Sequence, residues 1–527
     1  MSPTPPRRVA IIGGGISGMA AALRLSELAG GRQAVEIHLF EAAPQLGGLV
    51  ASERIGDYLI ERGADSFITN KPGGVALCRK LGLESELIGT DNKNRRSLIL
   101  ARGKPIETPE GLNLIAPGSA WSILKTPILS WRGKLRCLCE PLVPRRDAEG
   151  DESLASFTRR RLGQEMLDRI VQPMVGGIYT ADPERLSLLA TLPRFLEMER
   201  RHGSLFEAMQ AEYGLAGGGD PAASGARYGL FASLRHGMSQ LFRALESRVR
   251  AVAHVETGAR VREVTLEQRR TDASRSGAVG ATSFEASDKQ TPSSGPGGPD
   301  DGRAHGLPQG EVAWTDASGD QRRTSFSAVI LATPAHEMSQ ALRSSIPDAA
   351  AELAQIEYAS SAVVVTGHDL RGIDHPLNAF GLVIPVIEKR RILSVSFLNR
   401  KFPDRAPPDK VILRTFIGGA LQPEMMDLTD GQLIETTLAE LRSIFGVRSE
   451  PEFAVVARYP RAMPQYHVGH LDRVARIAGH LAATPQVALA GNTLGGVGLP
   501  DSILSGEKAA ERIWESFTSD SHANPVA

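Results

Sequence analysis

Only three cysteines, Cys78, Cys137 and Cys139, occur in 527 residues. That is too few for a disulfide framework and suits a reducing compartment. Cys137 and Cys139 stand one residue apart with no His or Cys cluster beside them, so no metal site is expected. Net charge is also missing, because 60 basic side chains cancel 60 acidic ones. Without a global field, nucleic acid is excluded as a partner. The chain has no uninterrupted apolar run of about 18 residues or more, so no spanning helix is expected. Val9 to Leu25 is apolar in character, yet consecutive glycines break it and Arg24 lies near its end. Met1 to Arg8 is proline-rich and basic, with no apolar stretch ahead of a cleavage site, and does not read as a secretory signal. The expectation is a cytoplasmic protein, soluble or resting on a membrane face.

What is present is enough apolar matter, 42% of the chain, for two to four cores. The opening reads strand (Arg8 to Ile12), glycine turn, helix (Ile16 to Leu28), strand (Val35 to Phe40), a βαβ unit that implies a parallel sheet. Further strands are expected at Val261 to Leu266, Glu311 to Thr315, Thr324 to Leu331, Ser361 to Thr366 and Val411 to Ile417. Asp151 to Gln210 reads as largely helical, and Thr429 to Ile444 as a helix capped by Thr429 or Asp430. Gln486 to Trp514 repeats the logic of the opening: strand, glycine-rich turn, helix. Between Gln268 and Gly310 the only larger apolar side chains are Val279, Phe284 and Leu307. Such a segment buries too little to offset its ordering entropy, so 268–310 is expected to be a disordered loop whose removal leaves activity intact.

The glycines of the first turn carry the first chemistry. Gly13, Gly15 and Gly18 form G-x-G-x-x-G, with Gly14, Ile16 and Ser17 between them, directly after a strand and at a helix start. The first permits the turn, the second lets a pyrophosphate approach the backbone, and the third lets helix and strand pack closely. The helix N-terminus then offers free N–H groups to phosphate. Glu41 ends the next strand, where a carboxylate can accept from ribose hydroxyls.

Glu41-Ala42, then Leu46-Gly47-Gly48-Leu49, resembles the second flavin motif of the flavin amine oxidase superfamily, with Gln45 where that family usually has Arg. Gly63-Ala64-Asp65-Ser66 follows as in the protoporphyrinogen/coproporphyrinogen oxidase branch of that superfamily. The chain also resembles that branch at Gln172 to Pro183, Phe380 to Pro385, Phe402 to Pro407, Met463 to His470 and Asn492 to Gly506. The resemblance implies FAD, with Val261 bracketing the adenine and Gly491, Asn492, Val497, Gly498 and Leu499 cradling the ribityl chain and ring. It implies an α/β fold: a Rossmann-like FAD-binding domain of the amine oxidase type, an α+β substrate domain and a helical membrane-facing insertion. On that pattern 1–95, 228–345 and 453–520 form the FAD domain, 96–110 and 346–452 the substrate domain, and 111–227 the helical domain.

The activity implied is six-electron oxidation of protoporphyrinogen IX to protoporphyrin IX, with dioxygen as acceptor. Coproporphyrinogen III, another amine-oxidase-type reaction, and a flavin scaffold without catalysis stay open as alternatives. Gly176 and Gly177 are candidates for close approach of a macrocycle, their carbonyls orienting a pyrrole N–H; a helix-ending turn is the equal alternative. Tyr179, Phe380, Leu382 and Val383 are candidate pocket walls, each alone also readable as core. Arg96 is the candidate for a substrate carboxylate, against a solvated surface charge, because Ser97 stands where the family places an arginine. His236 receives no catalytic role. Trp121 and Trp131 among Lys125, Arg132, Lys134 and Arg136 suit a membrane interface or a helical core. A second copy of the chain is admitted as a partner.

Overall fold

The computed structural model describes residues 6–30, 34–146, 150–215, 230–266 and 310–522. The loop expected at 268–310 lies outside the described residues except for Gly310, which opens a strand.

The β-branched run Arg7–Ile12 forms the middle strand of a five-stranded parallel sheet. Across the sheet the order is His254–Thr257, Val35–Glu41, Arg7–Ile12, Ala328–Leu331 and Val487–Leu489. Both faces are covered, which is why Val9 to Ile12 and Ala328 to Leu331 are apolar at every position instead of alternating. On one face Val9, Ile11, Ile37 and Leu39 pack with side chains of the helices Ile16–Leu28, Ser239–Arg250 and Leu499–His522. On the other, Ala10, Ile12, Phe40 and Leu331 join Phe326 and the helices Ala335–Leu342 and Pro347–Ala354. The expected strand Thr324 to Leu331 is two strands. Gln321–Phe326 pairs antiparallel with Gly310–Thr315, while Ala328–Leu331 pairs parallel with Arg7–Ile12. Ser327 marks the switch, its N–H donating to Arg8 O at 2.7 Å.

A seven-stranded mixed sheet forms the second layer, running Phe453–Pro464, Tyr358–Asp369, Lys410–Gly418, Ser394–Phe397, Gly381–Val383, Leu98–Ala101 and Lys104–Glu107. Phe453–Pro464 corrects the expected division at 453: it pairs along Tyr358–Asp369 and belongs to this sheet, not to the nucleotide domain. Nothing in its composition separates one sheet from another; pairing across some hundred residues decides it. The helix Asp430–Phe445 backs the sheet, capped by Thr429 and Gln432 in a reciprocal box and closed by Gly446 at φ +66°.

Residues 111–146 and 150–215 are mainly short helices around a core that includes Ile123, Phe157, Ile170 and Phe195. A fully buried Arg161–Glu140 ion pair ties them together. Among the described residues no helix is long and apolar enough to cross a membrane. Trp121 and Trp131 are 63% and 69% exposed, which removes the core reading for both.

Candidate nucleotide and substrate site

At the C-terminal end of the parallel strands the chain turns sharply through Gly13, at φ +109°, where a β-carbon would come within 2.6 Å of Ala332 O. A β-carbon on Gly18 would collide with the Gly13 carbonyl, so only glycine allows helix and strand this close. Gly15 differs: the space where its β-carbon would lie is open for 4 Å. That opening faces the start of a 13-residue helix, whose first N–H groups have no partner in the helix itself. The cradle fits a dinucleotide phosphate. Ile16 and Ser17 are buried in the first helical turn behind it.

Glu41 organises the rim. Its carboxylate accepts the N–H groups of Gly14 and Ala43, each at 2.7 Å, and keeps lone pairs for a ribose hydroxyl. Ala42 is exposed beside it. Gly47 N–H donates to Gly14 O at 3.0 Å, so the second glycine pair folds onto the first; Gly48 and Leu49 face outward. Gly258 N–H donates to Ala43 O and Ala259 N–H to Glu41 O, bringing Val261 to this rim at an irregularity in its strand.

Gly63, Ala64, Asp65 and Ser66 cross between the two layers. Asp65 is buried, with Arg414 Nη1 at 2.7 Å, Lys401 Nζ at 3.0 Å and Ser66 Oγ at 2.6 Å. Arg414 also donates to Gly63 O. Burial alone would raise the Asp65 carboxyl, but the Lys401 and Arg414 charges hold it well below the usual range. Sequence reading missed both cations, because they lie 336 and 349 residues away, Lys401 at the end of the short helix Leu398–Lys401 and Arg414 in a strand of the other sheet.

The second half of the site comes from the chain's last strand. Gly491 N–H donates to Ser505 Oγ at 3.0 Å, and the last helix crosses the first where Gly506 meets the Ser17 carbonyl. Residues 492–494 are held by buried rings: Tyr466 hydroxyl donates to Asn492 O, Tyr358 Oη lies 3.0 Å from Thr493 Oγ1, and His470 Nε2 lies 3.3 Å from Leu494 O. Burial drives the His470 imidazole down to about 4, so it is neutral near pH 7. Val497, Gly498 and Leu499 then lead into the helix Leu499–His522.

Gly176 and Gly177 lie inside the helix Gln172–Tyr179, which ends at Thr180 in the left-handed region, its N–H donating to Gly176 O at 2.9 Å. The left-handed position that ends the helix is thus Thr180, not either glycine. Both glycines also line a small cavity with Gln172, Thr180, Ile384, Leu393, Gly418 and Leu421. Val383 faces Gly177, 3.7 Å from where its β-carbon would be, whereas Leu382 is 1% exposed in the core on the other face of the sheet. Tyr179 hydroxyl donates to Thr191 O at 3.2 Å; burial, then the Asp501 charge, pushes its phenol up to about 12. Gln465 Nε2 donates to Tyr179 O at 3.4 Å and the next residue, Tyr466, donates to Asn492 O, so the helix carrying the cavity and the C-terminal turn are neighbours. Gln465 bridges here, its Nε2 donating to Met463 O at 3.2 Å, with its Oε1 buried and unpartnered. Phe380 is half-buried and donates its N–H to Arg96 O at 2.9 Å. Arg96 itself is 42% exposed and pairs with Glu107 at 2.7 Å. His236 is exposed, 3.8 Å from Glu86.

The chain matches the family of flavin containing amine oxidoreductases over residues 16–287 and 307–514. It is 30% identical over 505 residues to coproporphyrinogen III oxidase of Bacillus subtilis (strain 168), covering 95% of this chain and 97% of that one. It is 24% identical to protoporphyrinogen oxidase 2, chloroplastic/mitochondrial, of Arabidopsis thaliana, over 98% and 96% of the two chains. Among solved structures, a protein from Exiguobacterium sp. 255-15 provisionally named protoporphyrinogen oxidase superposes with a TM-score of 0.78 at 26% identity, over 97% of this chain and 99% of that one. Glycine cradle, acidic rim and full-length likeness converge: the chain belongs to the flavin containing amine oxidoreductase family and is a flavoprotein related to the porphyrinogen oxidases.

Proposed function

We propose that this chain oxidises a porphyrinogen to the corresponding porphyrin, with coproporphyrinogen III as its first substrate and dioxygen as the acceptor. The observation that carries the reading is the small cavity of Gly176, Gly177 and Ile384, whose helix is tied through Gln465 and Tyr466 to the turn at Asn492. Held by the glycine cradle and the Glu41 rim, the flavin would supply hydride acceptance. The residues of the chain bind, orient and dry the macrocycle. Val383 and Ile384 give an apolar wall facing the glycines of the helix. Neutral His470 and the high-pKa phenols of Tyr179 and Tyr466 neither donate a charge nor take one near pH 7, which suits a reaction needing little acid–base help.

The preference for coproporphyrinogen III rests on the Bacillus subtilis relative at 30% identity, together with a Staphylococcus aureus protein of the same name at 29%. Protoporphyrinogen IX, the substrate expected from the sequence, is the second reading, favoured by the plant and Exiguobacterium relatives. Purified yellow protein is given each porphyrinogen and porphyrin fluorescence is followed. Tenfold higher kcat/KM for coproporphyrinogen III supports the first reading, the reverse ratio the second, and no porphyrin from either ends both. Arg96→Ala belongs in the same assay, since an unchanged KM removes Arg96 from carboxylate binding. The exposed Trp121, Trp131, Leu135 and Leu142, with Lys125 5.0 Å over the Trp121 ring, suit a peripheral contact with a membrane on its cytoplasmic side.

A further inference from the structure

The parallel sheet carries a second polar cluster at the end remote from the glycine turn. Glu36 and His38 are two apart on one strand, so both side chains rise from the same face. His254, on the neighbouring edge strand, is the register partner of His38. One carboxylate oxygen and one ring nitrogen from each histidine lie within 4.8 Å of one another. His38 Nε2 is 2.7 Å from Glu36 Oε1, and the two imidazoles stack with centroids 4.9 Å apart. The other oxygen, Glu36 Oε2, accepts from Arg8 Nε at 3.1 Å. Phe326 closes the inner side, edge-on to His38 at 5.4 Å, while His254 is exposed and leaves the outer side to water.

We propose that Glu36, His38 and His254 form a binding site for a divalent transition metal, zinc being the best match, that fastens the edge strand to the nucleotide sheet. Two imidazoles and one carboxylate are a borderline-soft donor set, which suits zinc over calcium or magnesium. Tetrahedral zinc with Zn–N near 2.0–2.1 Å wants donor atoms about 3.4 Å apart. The present spacing, within 4.8 Å, has to close by side-chain rotation when the ion binds. The metal replaces the proton between His38 and Glu36 Oε1, and Arg8 on Oε2 becomes the outer partner that orients the carboxylate. Water fills the position on the exposed side. Glu41 ends the same strand as Glu36 and His38, and the His254 strand runs on into Gly258 and Ala259, which bond to Ala43 and Glu41. A metal at one end of this strand pair therefore stiffens the adenosine rim at the other.

The test uses tag-free, chelator-treated flavoprotein of the full chain, titrated with Zn2+ by calorimetry and with Co2+ by its d–d bands to the red of the flavin absorption. The expected result is one equivalent bound, a tetrahedral or five-coordinate cobalt spectrum, and a rise in Tm with Zn2+. His254→Ala, at an exposed position, should weaken binding about tenfold or more and abolish the Tm rise, and Glu36→Gln should do the same while the visible flavin spectrum stays unchanged. Binding that survives undiminished in both variants, or a wild-type protein that takes up no stoichiometric metal at micromolar concentration, overturns the proposal. Neither outcome depends on which porphyrinogen the enzyme prefers.

Discussion

Asp65 keeps its charge in a buried pocket because two cations share it. Arg414 is 2% exposed at its side chain and Lys401 15%. Removing one partner leaves an uncompensated charge in a medium that solvates it poorly, so Arg414→Met should cost about 3–5 kcal/mol in urea-unfolding free energy. The variant should also release flavin more readily, measured by absorbance after gel filtration, since Arg414 holds Gly63 as well as Asp65. Glu61 presents the opposite case. Burial pushes its carboxyl up to about 7 although the Ser52 hydroxyl and Met238 N–H both donate to it. The folded chain therefore holds this proton to higher pH than the unfolded chain, whose carboxyl titrates near 4.5. The stability it contributes is complete below that value and is lost as pH rises through about 7. Glu61→Gln should flatten the fall of Tm over this window, and a Tm–pH profile identical to wild type would contradict the assignment.

At the scale of the element, the glycine turn separates two kinds of necessity. Gly18→Ala puts a methyl into the Gly13 carbonyl, and should lower the yield of folded protein or its Tm by several degrees. Gly15→Ala meets nothing in the protein, so the fold should survive. Its methyl occupies the phosphate approach instead, and flavin affinity should drop about tenfold or more by fluorescence titration. A Gly15→Ala protein with normal Tm and normal affinity would displace the phosphate from this position. This turn was the most legible part of the chain, because its constraint is local: glycines at fixed offsets, then an acid closing the next strand. The helix after Thr429 was equally readable for the same reason. Arg414, Lys401, Tyr358 and the sheet membership of Phe453–Pro464 were not. Each acts through pairing across long sequence separations, and a strand's alternation says nothing about which partner it finds. Arg96, the candidate for a substrate carboxylate, pairs with Glu107 in the structure, a partner 11 residues on that its own position in the sequence did not reveal.

Over the whole molecule, Arg414 of the mixed sheet reaches Asp65 and Gly63, while the helical part leaves Trp121 and Trp131 exposed. If those rings contact lipid, Trp121→Ser with Trp131→Ser should reduce co-sedimentation with anionic vesicles severalfold and leave kcat in detergent unchanged; equal sedimentation would defeat the membrane contact. The sheet order has a different consequence. Ala328–Leu331 is flanked by Arg7–Ile12 on one side and Val487–Leu489 on the other, so strands from the two ends of the chain sit one place apart. During synthesis the N-terminal half of the cradle emerges well before the strand Val487–Leu489 and the helix Leu499–His522 that complete it. Riboflavin-derived cofactor should therefore be captured firmly only once these late elements have emerged, and nascent chains arrested before Gln486 should stay colourless.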